Sequence, residues 1–213
     1  MEGAELDTVC VGAALMLPVT ALAVETNTVY VGGVALAGSS DSIVYATTNE
    51  SGEVITEGAT ADNYNIKWDG STLTLHDATI QKELYASDLP LSNIAGAAIG
   101  VINQSGDAGL TVQLEGNNKI EGVSTGIQVS SSGGNAALNI TDDGTLVANS
   151  NFQLIIVISS NGNATLSINN AKVTAKSSYG NGVTVQSGNS ENSSASPTVD
   201  GGSLTATAPS NNV

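Results

Sequence analysis

The chain has 213 residues, of which 40% are hydrophobic, 3% aromatic and 12% charged, and its formal net charge is −15 with five lysines and no arginine. Because binding to a nucleic-acid backbone requires clustered cations, this charge balance excludes a nucleic-acid-binding protein and disfavours anionic membrane surfaces. The ordered apolar positions exclude a disordered chain, and the acidity is typical of a secreted or surface-exposed protein.

The first element in chain order is an apolar run at 9–17, "VCVGAALML", which is followed by Pro18 and by "ALA" at 21–23. This order is typical of a secretory signal, so we expect residues 1–23 to be a signal-peptide-like segment of a secreted or cell-surface protein. The usual basic start is missing, which leaves a hydrophobic N-terminal strand as the alternative. The run is too short to span a membrane, and we expect no membrane insertion of the mature chain.

Residues 24–70 predict an N-terminal β cap. The segment 28–37, "TVYVGGVALA", has the pattern of two short strands around a pair of glycines. Further along, Ile66 and Trp68 alternate with polar residues and are expected to be buried. The dipeptide Asp69-Gly70 that follows is typical of a tight hairpin turn. A solenoid requires such a cap to cover its first coil.

From residue 71 onward the sequence repeats at an interval of 28 residues. Three sets of residues keep this interval, namely Asp107, Asn135 and Asn163; Leu110, Leu138 and Leu166; and Ile99, Ile127, Ile155 and Val183. Each repeat contains three short runs in which apolar and polar residues alternate, which is the pattern of half-buried strands. Repeats of this length are typical of stacked architectures.

These features predict an all-β fold in which residues 71–213 form a right-handed parallel β-helix with three strands per coil, behind an N-terminal β-hairpin cap. Each coil has about 28 residues, and its strands pair with their equivalents in adjacent coils about 4.8 Å away. Since the chain ends just after a predicted strand, we expect the solenoid to be truncated at its C-terminus.

Two details of the register are also predicted. The third strand of each coil is expected to end at one stacked position, which is held by Ile80, Leu146, Val173 and Leu204. An Asp, Asn or Gly starts each of these strands because such residues tolerate a left-handed backbone at a corner. The polar segment 186–197 predicts a loop that leaves the last full repeat.

The candidates for catalysis are Asp142 and Asp143. Parallel β-helices include polysaccharide lyases and glycoside hydrolases, and inverting hydrolysis requires two carboxyl groups roughly 6.5–9.5 Å apart. However, Asp143 aligns with the corner positions of Asp77 and Asn170, which favours a role in a turn. The histidine-containing and basic motifs that accompany such sites are also missing. His76 is the single histidine of the sequence, and there is no arginine.

Other residues are candidates for binding. The row formed by Asp107, Asn135 and Asn163 predicts a structural ladder that satisfies corner backbone groups, with a ligand-binding strip as the alternative. Tyr85 and Tyr179 lie in polar segments and are candidates for exposed sugar-binding platforms. The many carboxylates leave a calcium site as an alternative. Because the glycine-rich nonapeptide of calcium β-rolls is missing, we expect no metal and no cofactor.

Several segments carry a resemblance to a known family: "VYVGGVAL", "NYNIKWDGSTLTLHDATI", "LEGNNKI" and "GTLVA". They resemble secreted carbohydrate-binding-domain-containing, adhesin-like β-helix proteins of Gram-positive gut bacteria, over most of residues 28–208. The resemblance implies an extracellular location and contact with polysaccharides or with host or bacterial surface glycans. We therefore expect a non-catalytic binding or adhesion module. The alternatives are a fragment of a polysaccharide-degrading enzyme, with acidic residues on a lateral groove, and a structural stalk.

Overall fold

A computed structural model of the chain describes residues 28–84, 96–188 and 193–209. The signal-peptide-like segment 1–23 lies outside the described residues. The described residues form β-strands and no helix, so they contain no helix that could cross a membrane. The strands are β1 (Val29–Val31), β2 (Val34–Leu36), β3 (Val44–Thr48), β4 (Val54–Ile55), β5 (Ile66–Trp68), β6 (Thr72–His76), β7 (Thr79–Ile80), β8 (Ala97–Asn103), β9 (Ala108–Glu115), β10 (Asn117–Ser131), β11 (Ala136–Thr141), β12 (Thr145–Ser159), β13 (Ala164–Asn169), β14 (Lys172–Ser177), β15 (Val183–Gln186), β16 (Ala195–Asp200) and β17 (Ser203–Thr207).

The strands stack into a β-solenoid of about four turns, with about 28 residues per turn. An eight-stranded sheet has the order β16-β13-β11-β9-β6-β5-β3-β4. A nine-stranded sheet has the order β17-β14-β12-β10-β8-β1-β2, with β15 paired to β12 and β7 paired to β10. Strands of successive coils are parallel, from β6 to β16 in one sheet and from β8 to β17 in the other. The predicted all-β solenoid is therefore confirmed.

The predicted files of apolar residues are confirmed by the strand register. Leu138 pairs with Leu110 on one side and with Leu166 on the other. Ile127 likewise pairs with Ile99 and Ile155. These side chains belong to a single buried core that continues from the cap into the coils. Each buried aliphatic side chain stabilises the fold by roughly 1.5–3 kcal/mol, so the stack holds together through its interior.

The cap is joined to the solenoid through the hairpin of β5 and β6. Ile66 and Trp68 are buried, and the two strands pair antiparallel. One carboxylate oxygen of Asp69 closes the turn by accepting the backbone N–H groups of Ser71 and Thr72, at 2.9 and 2.7 Å. β6 also pairs in parallel with β9. The second strand of the hairpin is therefore also the first strand of the stack.

The predicted alignment of the third strand is wrong in its first copy. Ile80 pairs with Ile120, which in turn pairs with Ala148, so it does not share the position of Leu146. The residue opposite Leu146 is Asn118, which is 1% exposed. Its side-chain oxygen accepts the backbone N–H of Ala78 at 2.9 Å, and this bond fixes β7 two residues away from the predicted register.

The polar segment 186–197 is not wholly a loop, because its last three residues begin β16. Pro197 pairs with Leu166 of the preceding coil. In this sheet the backbone N–H groups of inward-facing residues donate to the following coil and not to the preceding one. For example, the N–H of Ala136 donates to the carbonyl of Asn163 at 2.8 Å. Pro197 holds an inward position on the outermost strand, so its missing N–H removes no bond to β13.

Candidate functional site

The predicted ladder residues lie in one file along a corner of the solenoid. One carboxylate oxygen of Asp107 accepts the backbone N–H of Asn135 at 2.7 Å and its side-chain amide at 3.2 Å. The side-chain oxygen of Asn135 accepts the backbone N–H of Asn163 at 2.9 Å. That of Asn163 accepts the backbone N–H of Ser194 at 2.8 Å. Each side-chain oxygen thus satisfies the backbone of the next coil, which is a structural role.

A second file at the same corner was not predicted. Ser131 and Ser159 are buried, and each hydroxyl donates to a glycine carbonyl of the preceding coil, at 2.8 and 2.7 Å. Each also accepts a backbone N–H three residues ahead, from Gly134 and Gly162. The sequence signal was a serine four residues before each Asn of the ladder, at positions 131 and 159. Buried hydroxyls of this kind stabilise the corner because they leave no backbone group unpaired.

Asp142, rather than Asp143, occupies the left-handed corner that the sequence predicted. Its φ is 77°, beside 49° for Asp77 and 61° for Asn170, and each of the three directly follows a strand. The carboxylate of Asp142 accepts the side-chain amide of Gln113 at 2.9 Å and the backbone N–H of Asp143 at 3.0 Å. Asp143 is exposed. The assignment of the corner to Asp143 was wrong by one residue.

Of the two predicted tyrosine platforms, Tyr85 lies outside the described residues. Tyr179 is 73% exposed and lies beside Phe152, which is 57% exposed. Their ring centroids are 6.3 Å apart and the ring planes are tilted by 44°. Most large apolar side chains of the described residues are buried. The two neighbouring exposed rings therefore stand out as an apolar patch on the side of the solenoid. The sequence did not predict Phe152, because it lies within an otherwise alternating strand.

A β-bulge pushes Phe152 outward. Between Val123 and Thr125 of β10 there is one residue, whereas the matching stretch of β12, from Ser150 to Gln153, contains two. The extra residue of such a bulge disturbs the alternation of side chains and turns one of them to the surface. Phe152 is therefore presented by a rigid strand within the stack and not by a loop.

The neighbouring coil places Tyr179 against Phe152. The backbone N–H of Tyr179 donates to the carbonyl of Asn151 at 2.8 Å. The hydroxyl of Ser177 donates to the carbonyl of Phe152 at 2.7 Å and accepts the N–H of Gly180 at 2.9 Å. A Cβ at Gly180 would collide with that same carbonyl, so this position requires glycine. The aromatic pair is thus held by backbone contacts on both sides.

The cap contains a groove of about 390 Å³ that is lined by charged side chains. Glu53, Lys82 and Glu83 line it, and the Lys82 ammonium lies 3.6 Å from a Glu53 carboxylate oxygen. The amide of Asn49, which donates to Glu53, and the charge of Lys82 hold the pKa of Glu53 below its usual value. The carboxylate of Glu83 accepts the backbone N–H and the hydroxyl of Ser124.

The described residues contain no group of three or more His, Cys, Asp or Glu side chains that could hold a metal ion. No protein-family model, curated protein or solved structure matches the chain. The arrangement of the described side chains is therefore the basis for the functional proposals below.

Proposed function

We propose that this chain is a secreted or cell-surface β-helix that acts as a non-catalytic binding or adhesion module for glycans. The observation that carries the proposal is the exposed pair of Phe152 and Tyr179 on the side of the solenoid. The C–H face of a sugar ring is apolar, and an exposed aromatic ring offers a rigid surface of matching size at little entropic cost. Asn151 and Asn181, which are exposed next to the rings, supply amide groups for sugar hydroxyls.

The architecture supports an extended ligand. Solenoids present long lateral surfaces, because each coil repeats the same outward positions. On the eight-stranded sheet the outward positions hold small polar residues that lie side by side, such as Thr111, Asn139, Ser167 and Thr198. Hydroxyl and amide groups in such a row match the hydroxyl-rich surface of a polysaccharide. The sequence resemblance to carbohydrate-binding adhesin-like proteins points the same way.

We also infer the finer geometry of the coil, which is right-handed with three strands per turn. β10 and β12 are each 15 residues long, and the register between them shifts between Glu121 and Thr125. We infer a bend at that irregularity, which would divide each long strand into two segments on different faces. Right-handed crossovers between parallel strands are strongly preferred because of the twist of the strands. A crystal structure with a left-handed coil would overturn this part of the proposal.

A polysaccharide-degrading enzyme is the second candidate, and the groove lined by Glu53, Lys82 and Glu83 favours it. Acid catalysis requires a carboxyl group with a raised pKa, whereas the pKa of Glu53 is lowered. The carboxylate of Glu83 is engaged by Ser124. Glu53 therefore does not fit the role of the acid, and Glu83 is already hydrogen-bonded, so binding ranks above catalysis.

The test is a glycan array probed with the wild-type chain, the variants Phe152→Ala and Tyr179→Ala, and the control Ile43→Ala. Ile43 is a large apolar residue of the cap that is 43% exposed, so its loss tests for nonspecific adhesion. We expect the wild type and Ile43→Ala to bind the same glycans, and each aromatic variant to lose about tenfold or more in affinity. Thermal unfolding of every variant checks that the fold is retained.

Three results would count against the proposal. An array without any bound glycan at high protein concentration would favour the structural stalk. Reducing ends released from a polysaccharide by the wild type, and lost in Glu53→Gln, would favour the enzyme. Binding that survives the loss of both rings would place the site elsewhere on the solenoid.

A further inference from the structure

Three of the five lysines lie on one lateral surface of the nine-stranded sheet. Lys119 belongs to β10, and Lys172 and Lys176 belong to β14. All three alternate with buried residues and are exposed, so they point away from the core. We call this surface the lysine face and define it by the outward residues of four neighbouring strands: Asn117, Lys119 and Glu121; Thr145, Val147 and Asn149; Lys172, Thr174 and Lys176; Ser203, Thr205 and Thr207.

The lysine face departs from the charge of the whole chain. It holds three lysines and one glutamate, Glu121, so its formal charge is 3 − 1 = +2, whereas the chain carries −15. The two ion pairs found among the described residues join Lys82 to Glu53 and His76 to Asp77, and neither involves this face. The acidic residues on its border are Asp77, Glu115, Asp142, Asp143 and Asp200, which lie at the corner where β7 and the strands of this face begin. The positive charge is therefore confined to the outward positions of the strands themselves.

The strand register sets the spacing of the three ammonium groups. Lys119 is two strands and two residues away from both Lys172 and Lys176. With strands about 4.8 Å apart and a rise of about 3.3 Å per residue, each of these separations is roughly 12 Å between Cα atoms. Lys172 and Lys176 are four residues apart on one strand, which is about 13 Å. The cations thus form an open triangle that matches sparse negative charges.

The aromatic pair borders the lysine face. Tyr179 follows Lys176 by three residues, and Phe152 follows Asn149, the strand neighbour of Lys176, by three residues. Three residues of extended strand span about 10 Å, so an extended ligand on the aromatic rings at the bend can also reach Lys176 and its hydroxyl-bearing neighbours. The two adjoining surfaces would offer stacking, hydroxyl and amide hydrogen bonds, and positive charge.

We infer that the lysine face and the aromatic pair together bind an anionic polysaccharide with sparse carboxylates, a chain that contains uronic acid residues. This inference rests on the proposed glycan-binding function and adds the substrate class. Lysine binds an anion as a compact point charge and does not require the paired oxygens that an arginine fork matches. A densely charged polymer such as a sulfated glycan or a nucleic acid is repelled by the net charge of −15. A carboxylated chain with intervening neutral ring faces fits both parts of the surface.

The experiment measures binding of the full chain to four polymers: a polygalacturonate that is partly methyl-esterified so that its remaining carboxylates are sparse (polygalacturonate below), its full methyl ester, a neutral glucan and heparin. The main variant is the triple substitution Lys119→Gln, Lys172→Gln and Lys176→Gln. The control is Lys67→Gln with Lys82→Gln, which removes the two lysines outside the face. We expect polygalacturonate to bind the wild type and the control equally, and to bind the triple variant about tenfold more weakly. We also expect this binding to weaken between about 20 and about 500 mM NaCl.

Each other outcome has a defined meaning. Equal binding of polygalacturonate and its methyl ester, without salt dependence, overturns the lysine face but leaves the aromatic platform and the proposed function intact. Equal or tighter binding of heparin overturns the assignment to sparse carboxylates. Weaker polygalacturonate binding by the control variant would mean that the binding site is not on the lysine face. Absence of binding to all four polymers, together with an empty glycan array, overturns both the inference and the proposed function. Tyr179→Ala serves as an independent variant, and it is expected to weaken binding to the methyl ester as well.

Discussion

Asp107 accepts the backbone N–H of Asn135 at 2.7 Å, across a sequence separation of 28 residues. The contact joins two successive coils at the same corner, and Asn135 repeats it toward Asn163 at 2.9 Å. The corner is thus held by side chains that each reach one coil further along the stack. This relationship explains why Asp or Asn recurs at these positions although the residues are exposed.

We expect Asn135→Ala to lower the free energy of unfolding by about 1 kcal/mol, because the N–H of Asn163 loses its protein acceptor. The loss is modest since the position is exposed and water can replace the bond. Urea unfolding measures it. The control is Thr165→Ala, an exposed strand position outside the ladder, with an expected change within about 0.5 kcal/mol. Equal losses in the two variants would mean that the ladder contributes nothing.

Glycine at position 134 permits the close approach of the ladder, because a Cβ there would collide with a carboxylate oxygen of Asp107. We expect Gly134→Ala to destabilise the fold by about 1–3 kcal/mol. The matched control is Gly109→Ala, where a Cβ meets nothing within 4 Å and where the next coil already has Ala137. The control should be neutral or stabilising by up to about 1 kcal/mol. The midpoints of thermal unfolding of the two variants should move in opposite directions or by clearly different amounts.

Val112 and Val199 lie in the same inward file, but Val112 is buried whereas Val199 is 47% exposed at the last coil. We expect Val112→Ala to cost about 2 kcal/mol and Val199→Ala less than about 1 kcal/mol, because the exposed methyl groups lose little burial. Both are measured by urea unfolding. Similar losses would show that the last coil is covered in solution, which the oligomeric state would then explain.

Asn118 is a buried polar residue at a position where later coils have Leu146, Val173 and Leu204. We expect Asn118→Leu to destabilise the fold by about 2 kcal/mol or more, although leucine is the residue that the repeat would suggest. The N–H of Ala78 loses its acceptor, and the carbonyl of Glu115 loses the Asn118 amide at 3.1 Å. The control Val173→Leu places the same side chain in the same file. A stabilised Asn118→Leu variant, seen as a higher midpoint of thermal unfolding, would contradict this role.

The turn carboxylate of Asp69 should give the fold a pH dependence in acid. Burial raises its pKa, but the N–H groups of Thr72 and Ser71 and the Ser71 hydroxyl outweigh burial and hold the pKa below the ordinary 3.8. A lowered pKa in the folded state contributes stability that is present above pH 3.8 and is lost as the pH falls through the folded value. Asp69→Asn keeps an acceptor oxygen without the charge. Its deficit in thermal midpoint relative to the wild type should therefore be present at about pH 7 and shrink toward about pH 2; a deficit independent of pH would refute the charge argument.

The sequence by itself determined the stack. A 28-residue interval in Leu110, Leu138 and Leu166 has one economical explanation, since equal spacing lets identical side chains face one another across parallel strands. The ladder of Asp107, Asn135 and Asn163 followed from the same interval. The hairpin at Asp69-Gly70 followed from local turn chemistry. Each of these depends on local pattern or on exact repetition, which a sequence displays directly.

The tertiary structure alone decided the features that break the repeat. The position of Ile80 depends on the hydrogen bond between Asn118 and Ala78, two residues that are 40 positions apart. The exposure of Phe152 depends on a bulge that is defined by comparison with the neighbouring strand. The lysine face exists because separate coils bring Lys119 and Lys172 to one surface. Such departures from the repeat arise from pairing between segments that are distant in sequence. The hydrophobic pattern of one segment does not determine the register in which a distant strand pairs with it.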